Sequence, residues 1–415
     1  MWIINGLGLF AGPLSSGGAA VILTKLHRLV PPLQDGLPRL FWDGTRAPFY
    51  ARMIFDGSWL AFRHPVVDTV ARGPAFTNHL FGEPDAPTGW EPVVSALWLA
   101  DGKRHRDLVR AVGDGLHEDM VGRLSEFITQ TAHSLVDRLA RREGGTFDLM
   151  TEFAWPLSFA VTCRIMGMAP DELPEFDLHL RKIAEMKKFG VPVDPGWAPM
   201  LARLRQQRRV DRRTGLVSRL IGLQETGYVV GDRVITDRDI DGVQHAYFAA
   251  GTDTSAVGLA GEFVLFDRWR VTDLVRENLA DREFLYWTIE ETLRLMPPFP
   301  VIRVKARRDT ELAPGVRVAQ GQHVTAFLTA ANRDPEVFAQ PERFIIDRRP
   351  RQHLAFAAGA HYCPGAHLTR LEQLLATQVL LTRLPGLRVV GQPVRRRGVV
   401  NRIVELPMAY DRMVT

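Results

Sequence analysis

Apolar residues recur at helical spacing over long stretches of this chain, with glycine, proline and charge gathered in the breaks between them. The spacing predicts helices over 119–142, 151–167, 174–188, 198–222, 239–266 and 283–295. Strand-like runs are shorter and fewer. Tyr50–Phe55 and Ser58–Phe62 flank an Asp56-Gly57 pair, which predicts a hairpin, and further β-rich runs fall at 299–328 and 394–409. The chain is therefore expected to be mainly α with a small segregated β region, an α+β class.

At 415 residues the length would permit two or three domains. No Gly/Ser linker, low-complexity run or internal repeat separates them, so one domain over 1–415 is expected, with 1–24 a loosely packed N-terminal segment. Residues 1–24 are uncharged, but Gly6, Gly8, Gly12, Pro13, Gly17 and Gly18 interrupt the run and no basic residue precedes it, which argues against a membrane span. Hydrophobic residues make up 46% and charged residues 24%, ordinary globular values that permit a sizeable core. Cys163 and Cys363 are the only cysteines, which excludes a disulfide framework and a Cys-rich zinc or iron–sulfur pattern and points to a reducing, cytoplasmic setting. The net charge of +5 is carried almost wholly by arginine, with basic clusters at 103–110, 202–213 and 395–397. No aromatic interleaving or nucleic-acid-binding motif accompanies them, so most read as solvated faces.

Candidate chemistry concentrates in residues 353–372. Cys363 ends a small-residue loop and opens an amphipathic helix, where the macrodipole lowers a thiol pKa and favours an anionic ligand. Gly359 and Gly365 would let the backbone approach a large flat partner, Pro364 suits a first helical turn, and Phe356 supplies an aromatic wall. Taken alone, Cys363 would read as an ordinary buried cysteine. Ala250-Gly251-Thr252-Asp253-Thr254 stands inside the apolar segment 243–266. Small residues at 250 and 251 leave room for a ligand, the Thr254 hydroxyl can bond back to the Ala250 carbonyl, and Asp253 supplies a titratable group for moving protons. Glu291 and Arg294 lie three residues apart on one predicted helix face, as an ordinary helical ion pair would.

Together these strings resemble the cytochrome P-450 superfamily of heme-thiolate oxygenases. Phe356, Gly359, His361, Cys363 and Gly365 occupy every fixed place of its heme loop, Phe-x-x-Gly-x-His/Arg-x-Cys-x-Gly. Ala250 to Thr254 matches Ala-Gly-x-Asp/Glu-Thr, and Glu291 to Arg294 matches Glu-x-x-Arg. One departure is Ala357, where bacterial members usually carry glycine, and a small adjustment of the turn is expected there. The resemblance implies the cytochrome P-450 fold, with heme b (iron protoporphyrin IX) between the helix carrying Ala250–Thr254 and the Cys363 loop. By the same resemblance Cys363 is the iron ligand, Ala250 and Gly251 line the heme, and Asp253 with Thr254 relays protons for cleavage of dioxygen. Propionate contacts would come from His105, Arg303 and His361. Glu291 and Arg294 would be locked by a third residue, Arg343 first and Arg348 second.

The implied activity is a monooxygenase that hydroxylates or epoxidises a hydrophobic small molecule in specialised metabolism. Two alternatives stay open: oxidative ring closure or aryl coupling without oxygen insertion, and a non-catalytic heme-binding protein. Substrate contacts are expected from Phe248, Ala249, Phe299, Val301 and Val400, together with the loop 76–98 and the 187–198 connection. No flavin or iron–sulfur module is attached, so electrons would come from a separate ferredoxin and ferredoxin reductase. The basic run Lys103, Arg104, Arg106 and Arg110 would steer such an acidic partner.

Overall fold

The computed structural model describes residues 3–5, 59–78, 97–113, 124–139, 145–184, 194, 196–396 and 400–414. In chain order its helices are α1 (His64–Arg72), α2 (Gly102–Val112), α3 (Ser125–Leu139), α4 (Trp155–Met166), α5 (Leu173–Ala184), α6 (Trp197–Val210), α7 (Leu216–Glu225), α8 (Asp237–Trp269), α9 (Thr272–Glu277), α10 (Arg282–Leu295), α11 (Leu328–Ala331) and α12 (Ala366–Arg383). The strands are β1 (Ile3–Asn5), β2 (Trp59–Ala61), β3 (Phe76–Thr77), β4 (Thr146–Asp148), β5 (Val229–Val230), β6 (Arg233–Val234), β7 (Val301–Ala306), β8 (Thr310–Ala313), β9 (Val316–Val318), β10 (His323–Phe327), β11 (Arg388–Val389), β12 (Val394–Arg396), β13 (Arg402–Glu405) and β14 (Pro407–Ala409). These fall into two compact units, each drawn from three sequence segments: Met1–Leu80, Phe299–Arg343 and Pro350–Cys363 in the first, and Phe81–Pro298, Phe344–Arg349 and Pro364–Thr415 in the second.

The first unit is built on a five-stranded sheet in the order β1-β2-β10-β7-β3. β2 pairs antiparallel with β1 and parallel with β10, and β10 pairs antiparallel with β7. Val66, Val67 and Val70, spaced at 0, 1 and 4, give α1 one apolar face, which packs on Val304, Val324 and Ala326 of the sheet. Of the hairpin expected over 50–62 only the second arm is described, as β2, and of 1–24 only β1 is described.

The second unit is helical, with α8 at its centre against α4, α6, α10 and α12. Asp239 explains why α8 starts earlier than the periodicity predicts: Thr236 Oγ1 accepts from the Asp239 N–H while the Asp239 carboxylate accepts from the Thr236 N–H, a reciprocal cap. Arg270, in the left-handed conformation, ends the helix. The helix expected over 198–222 is in fact two, α6 and α7. Gly215, which caps the start of α7, lies so close to Gly167 that a Cβ on it would fall 2.4 Å from the Gly167 Cα, so two backbones cross within the break. Among the described residues, no helix is long and apolar enough to cross a membrane.

Candidate functional site

In the first unit the loop ending at Cys363 is shaped by backbone hydrogen bonds. The Cys363 N–H donates to Phe356 O at 2.9 Å, Tyr362 N–H to Gly359 O at 3.1 Å, and Ala357 N–H to Leu354 O at 2.9 Å. Asn332 Oδ1 accepts from the Leu354 N–H and ties the loop to the end of α11. Cys363 itself is half-buried and not disulfide-bonded. Phe356 is buried, with its ring 6.1 Å from His353 and 6.2 Å from Tyr362, and His361 is half-buried in a single helical turn.

Two residues of this loop correct the expectations. Ala357 has φ +56°, so the departure from glycine places a Cβ in the left-handed region, which is strain and not merely a small adjustment. Gly359, read as making room for a flat partner, has φ +70°, and a Cβ there would meet the Arg72 Cα at 2.7 Å. It is needed where the loop crosses the end of α1. Arg303 lies mid-way along β7 opposite Thr325, Val301 is buried at its start, and Phe299 is 38% exposed.

In the second unit the informative feature is a window in α8. From Gly242 to Phe263 every residue is buried except Ala249, Ala250, Gly251 and Thr254. Thr254 Oγ1 donates back to the Ala250 carbonyl, as the spacing predicts. Asp253 beside it is buried and joined to Arg402 of β13, whose Nε lies 2.9 Å from Oδ1. Burial pushes the Asp253 carboxyl above its ordinary range, and the Arg402 charge opposes that shift. A Cβ on Gly251 would fall 3.2 Å from the Thr162 hydroxyl, so the glycine also admits α4. Phe248, expected to line a pocket, is instead wholly buried between Phe176 and Trp197, at 5.2 and 5.7 Å, because its helical position faces α5 and α6. His105 is buried on α2, and Val400 is half-buried before β13.

The Glu291–Arg294 pair is fully buried and bidentate, at 2.7 and 2.8 Å. Its third member is Arg348, whose Nε lies 2.9 Å from Glu291 Oε1, joined by the Ile345 N–H at 3.0 Å. Arg343, the first choice from sequence, is exposed and donates to Gln340. The reason is local: Ile345 anchors the turn on Glu291, and the arginine three residues beyond it, not the one two before, meets the carboxylate.

The profile of the family described as Cytochrome P450 matches residues 269–385. Mycinamicin IV hydroxylase/epoxidase of Micromonospora griseorubida is 30% identical over 80% of this chain and 84% of the relative. Erythromycin C-12 hydroxylase of Saccharopolyspora erythraea is 28% identical over 87% of this chain and 90% of the relative. Among solved structures, a mutant of P450 EryK in complex with erythromycin B superposes with a TM-score of 0.74 at 26% identity, covering 85% of this chain and 91% of that one. HmtN, a post-tailoring hydroxylase involved in himastatin biosynthesis, gives 0.73 at 26% identity, with the same coverage. The chain belongs to the cytochrome P450 family.

Several features of this P450 escaped the motifs. Arg402 carries no family signature, and only the folded chain brings it to Asp253. Arg370 of α12 forms a second bidentate pair with Glu290, at 2.7 and 2.9 Å, behind the Glu291 lock. Asp107 is buried on α2 and accepts from Lys103 at 2.7 Å, which also donates to Gly231 O. Arg104 is bound to buried Asp239 at 2.7 Å. Two of the four cations expected to steer a partner are thus engaged in joining α2 to the β5–β6 hairpin and the start of α8. The 202–213 cluster is likewise matched by acids: Arg205 with Asp237 and Asp241, Arg208 with Glu172, and Arg212 with Glu225.

Proposed function

We propose that this P450 binds heme b through Cys363 and inserts one oxygen atom of dioxygen into a hydrophobic small molecule of specialised metabolism. The observation that carries the reading is the half-buried, unbridged Cys363 thiol at the end of the family's loop, in a chain whose longest helix, buried elsewhere between Gly242 and Phe263, opens a window at Ala249–Gly251 and Thr254. The donor chemistry fits the group: a porphyrin already holds its iron, so the single Cys363 thiolate would be enough to attach it to the chain. His105, Arg303 and His361 would serve the propionates.

When bound, the heme supplies activation of dioxygen at its iron. The rest is assigned to side chains. Thr254, with its proton committed to the Ala250 carbonyl, keeps hydroxyl lone pairs free to accept a hydrogen bond. Asp253 holds and passes a proton, and Arg402 orients it. The hydroxylases of erythromycin and mycinamicin IV among the relatives support an elaborated metabolite as substrate. A separate ferredoxin with its reductase would deliver electrons in the cytoplasm.

The test is the carbon monoxide spectrum of the dithionite-reduced protein. A strongly red-shifted Soret band, lost in Cys363→Ala, is expected. The same band in Cys363→Ala, or no heme in the wild type, would overturn the assignment. With a turned-over substrate, labelled dioxygen should place one heavy oxygen in the product.

A further inference from the structure

Helices α8 and α12 run side by side in the same direction, as three successive pairings show. Ser255 faces Thr369 with hydroxyls 3.5 Å apart, Gly258 faces Gln373, and Glu262 accepts from Thr377 Oγ1 at 2.6 Å. The seam is polar, yet Glu262, Gln373 and Thr377 are 0%, 1% and 2% exposed. Gly258 is what admits the amide: a Cβ there would fall 2.3 Å from Gln373 Nε2.

Three atoms in this seam have no protein partner: Glu262 Oε1, Gln373 Oε1 and Gln373 Nε2. Buried polar groups are almost always hydrogen-bonded, and leaving an amide and a carboxyl unpaired is strongly unfavourable. Glu262 belongs to the turn after Gly258, and Gln373 to the turn before Thr377. The amide and the carboxyl therefore belong to neighbouring turns of the seam. No direct hydrogen bond joins them, which leaves the pairing to a small bridging molecule.

We propose that the α8–α12 seam is an internal water site, in which water bridges the Glu262 carboxyl and the Gln373 amide beside the Thr377 hydroxyl. The set of unpaired atoms selects the ligand. Gln373 offers both a donor and an acceptor, so its partner must accept from N–H and donate to C=O. Water does both, whereas a metal cation could serve only the oxygens. Burial also pushes the Glu262 carboxyl up to about 8, so at neutral pH it is an uncharged acid with no charge to attract a cation. The site thus lets α8 pack on α12 across an acid that no cation pairs with among the described residues.

The test is a crystal structure of the intact holoprotein at a resolution that places waters, with a rubidium soak of the same crystals. A density peak bonded to Glu262 Oε1 and to the Gln373 amide, without anomalous scattering from rubidium, is expected. Gln373 turned to bond Glu262 directly, with no peak between them, would overturn the proposal, and so would a rubidium peak. An infrared measurement gives an independent reading. The carbonyl stretch of protonated Glu262, identified by its loss in Glu262→Gln, should shift when Gln373→Leu removes the bridge. An unchanged band would count against the site.

Discussion

Arg402 Nε lies 2.9 Å from Asp253 Oδ1, so strand β13 is tied to the middle of α8 across 149 positions of sequence. Neither side chain is more than 12% exposed. One residue before Arg402, the Asn401 N–H donates to Pro298 O at 2.7 Å. The acid assigned to proton transfer is thereby held by the same short segment that carries Val400, a residue expected to meet substrate.

Removing the guanidinium with Arg402→Leu should leave a buried carboxylate unpaired, a loss of about 3–5 kcal/mol for a charge kept in place. Asp253 can escape that cost by taking up a proton. Its folded pKa already stands above the ordinary value of 3.8 and would rise further without Arg402. A raised carboxyl pKa means that stability is lost as pH rises through the window between the unfolded and folded values. The gap in thermal stability between wild type and Arg402→Leu should therefore be small near pH 4 and widen toward neutrality. A gap that narrows with rising pH would contradict the pairing.

Two further buried acids govern the pH response. Glu262 is pushed up to about 8 and Glu372 to about 7, both by burial, with only a hydroxyl from Thr377 or Ser158 opposing the shift. In each case the unfolded chain releases the proton first, near 4.5, so stability is greatest below that pH and declines up to the folded value. The decline is limited to about 1.4 kcal/mol per pH unit for each group. Denaturant unfolding from pH 5 to 9 should show Glu262→Gln and Glu372→Gln gaining on wild type as pH rises. The gain should level off about one pH unit earlier for Glu372→Gln.

How far the sequence reveals this molecule depends on the range of the interaction. Helical periodicity located α4, α8 and α10, because an apolar stripe is a local property, and fixed-spacing strings singled out Cys363, Asp253, Thr254, Glu291 and Arg294 as candidates. The α6–α7 break was not legible, since Gly215, at the start of α7, meets Gly167, which is 48 positions earlier. Arg402, Arg370 and the choice of Arg348 over Arg343 were missed for the same reason: an arginine's partner is set by where the chain returns, and arginines are plentiful here. Phe248 misled because its neighbour Ala249 is in the window while it points the other way.

The left-handed Ala357 offers a direct stabilisation. At φ +56° an L-residue carries steric strain of about 1–2 kcal/mol that glycine lacks, partly offset by the greater entropy glycine loses on folding. Ala357→Gly should raise stability by about 0.5–1 kcal/mol and slow heme loss, measured by transfer to apomyoglobin. Gly359→Ala should do the reverse, and more strongly, because its Cβ has the Arg72 backbone at 2.7 Å as well as an unfavourable φ.

Arginines 343 and 348 make the sharpest test of the lock. Arg348 is 10% exposed and bonded to a carboxylate that is itself wholly buried, whereas Arg343 is exposed and donates to Gln340. Arg348→Ala leaves Glu291 with Arg294 and the Ile345 N–H but strips one charged partner from a buried site, a change of about 3 kcal/mol or more. Arg343→Ala removes a surface contact and should fall within about 0.5 kcal/mol of wild type. Purified side by side, Arg343→Ala should retain the full red-shifted carbon monoxide band, while Arg348→Ala should yield little heme-loaded protein or a band that decays on standing. Equal behaviour of the two variants would mean that the Glu291 lock closes without its third arginine.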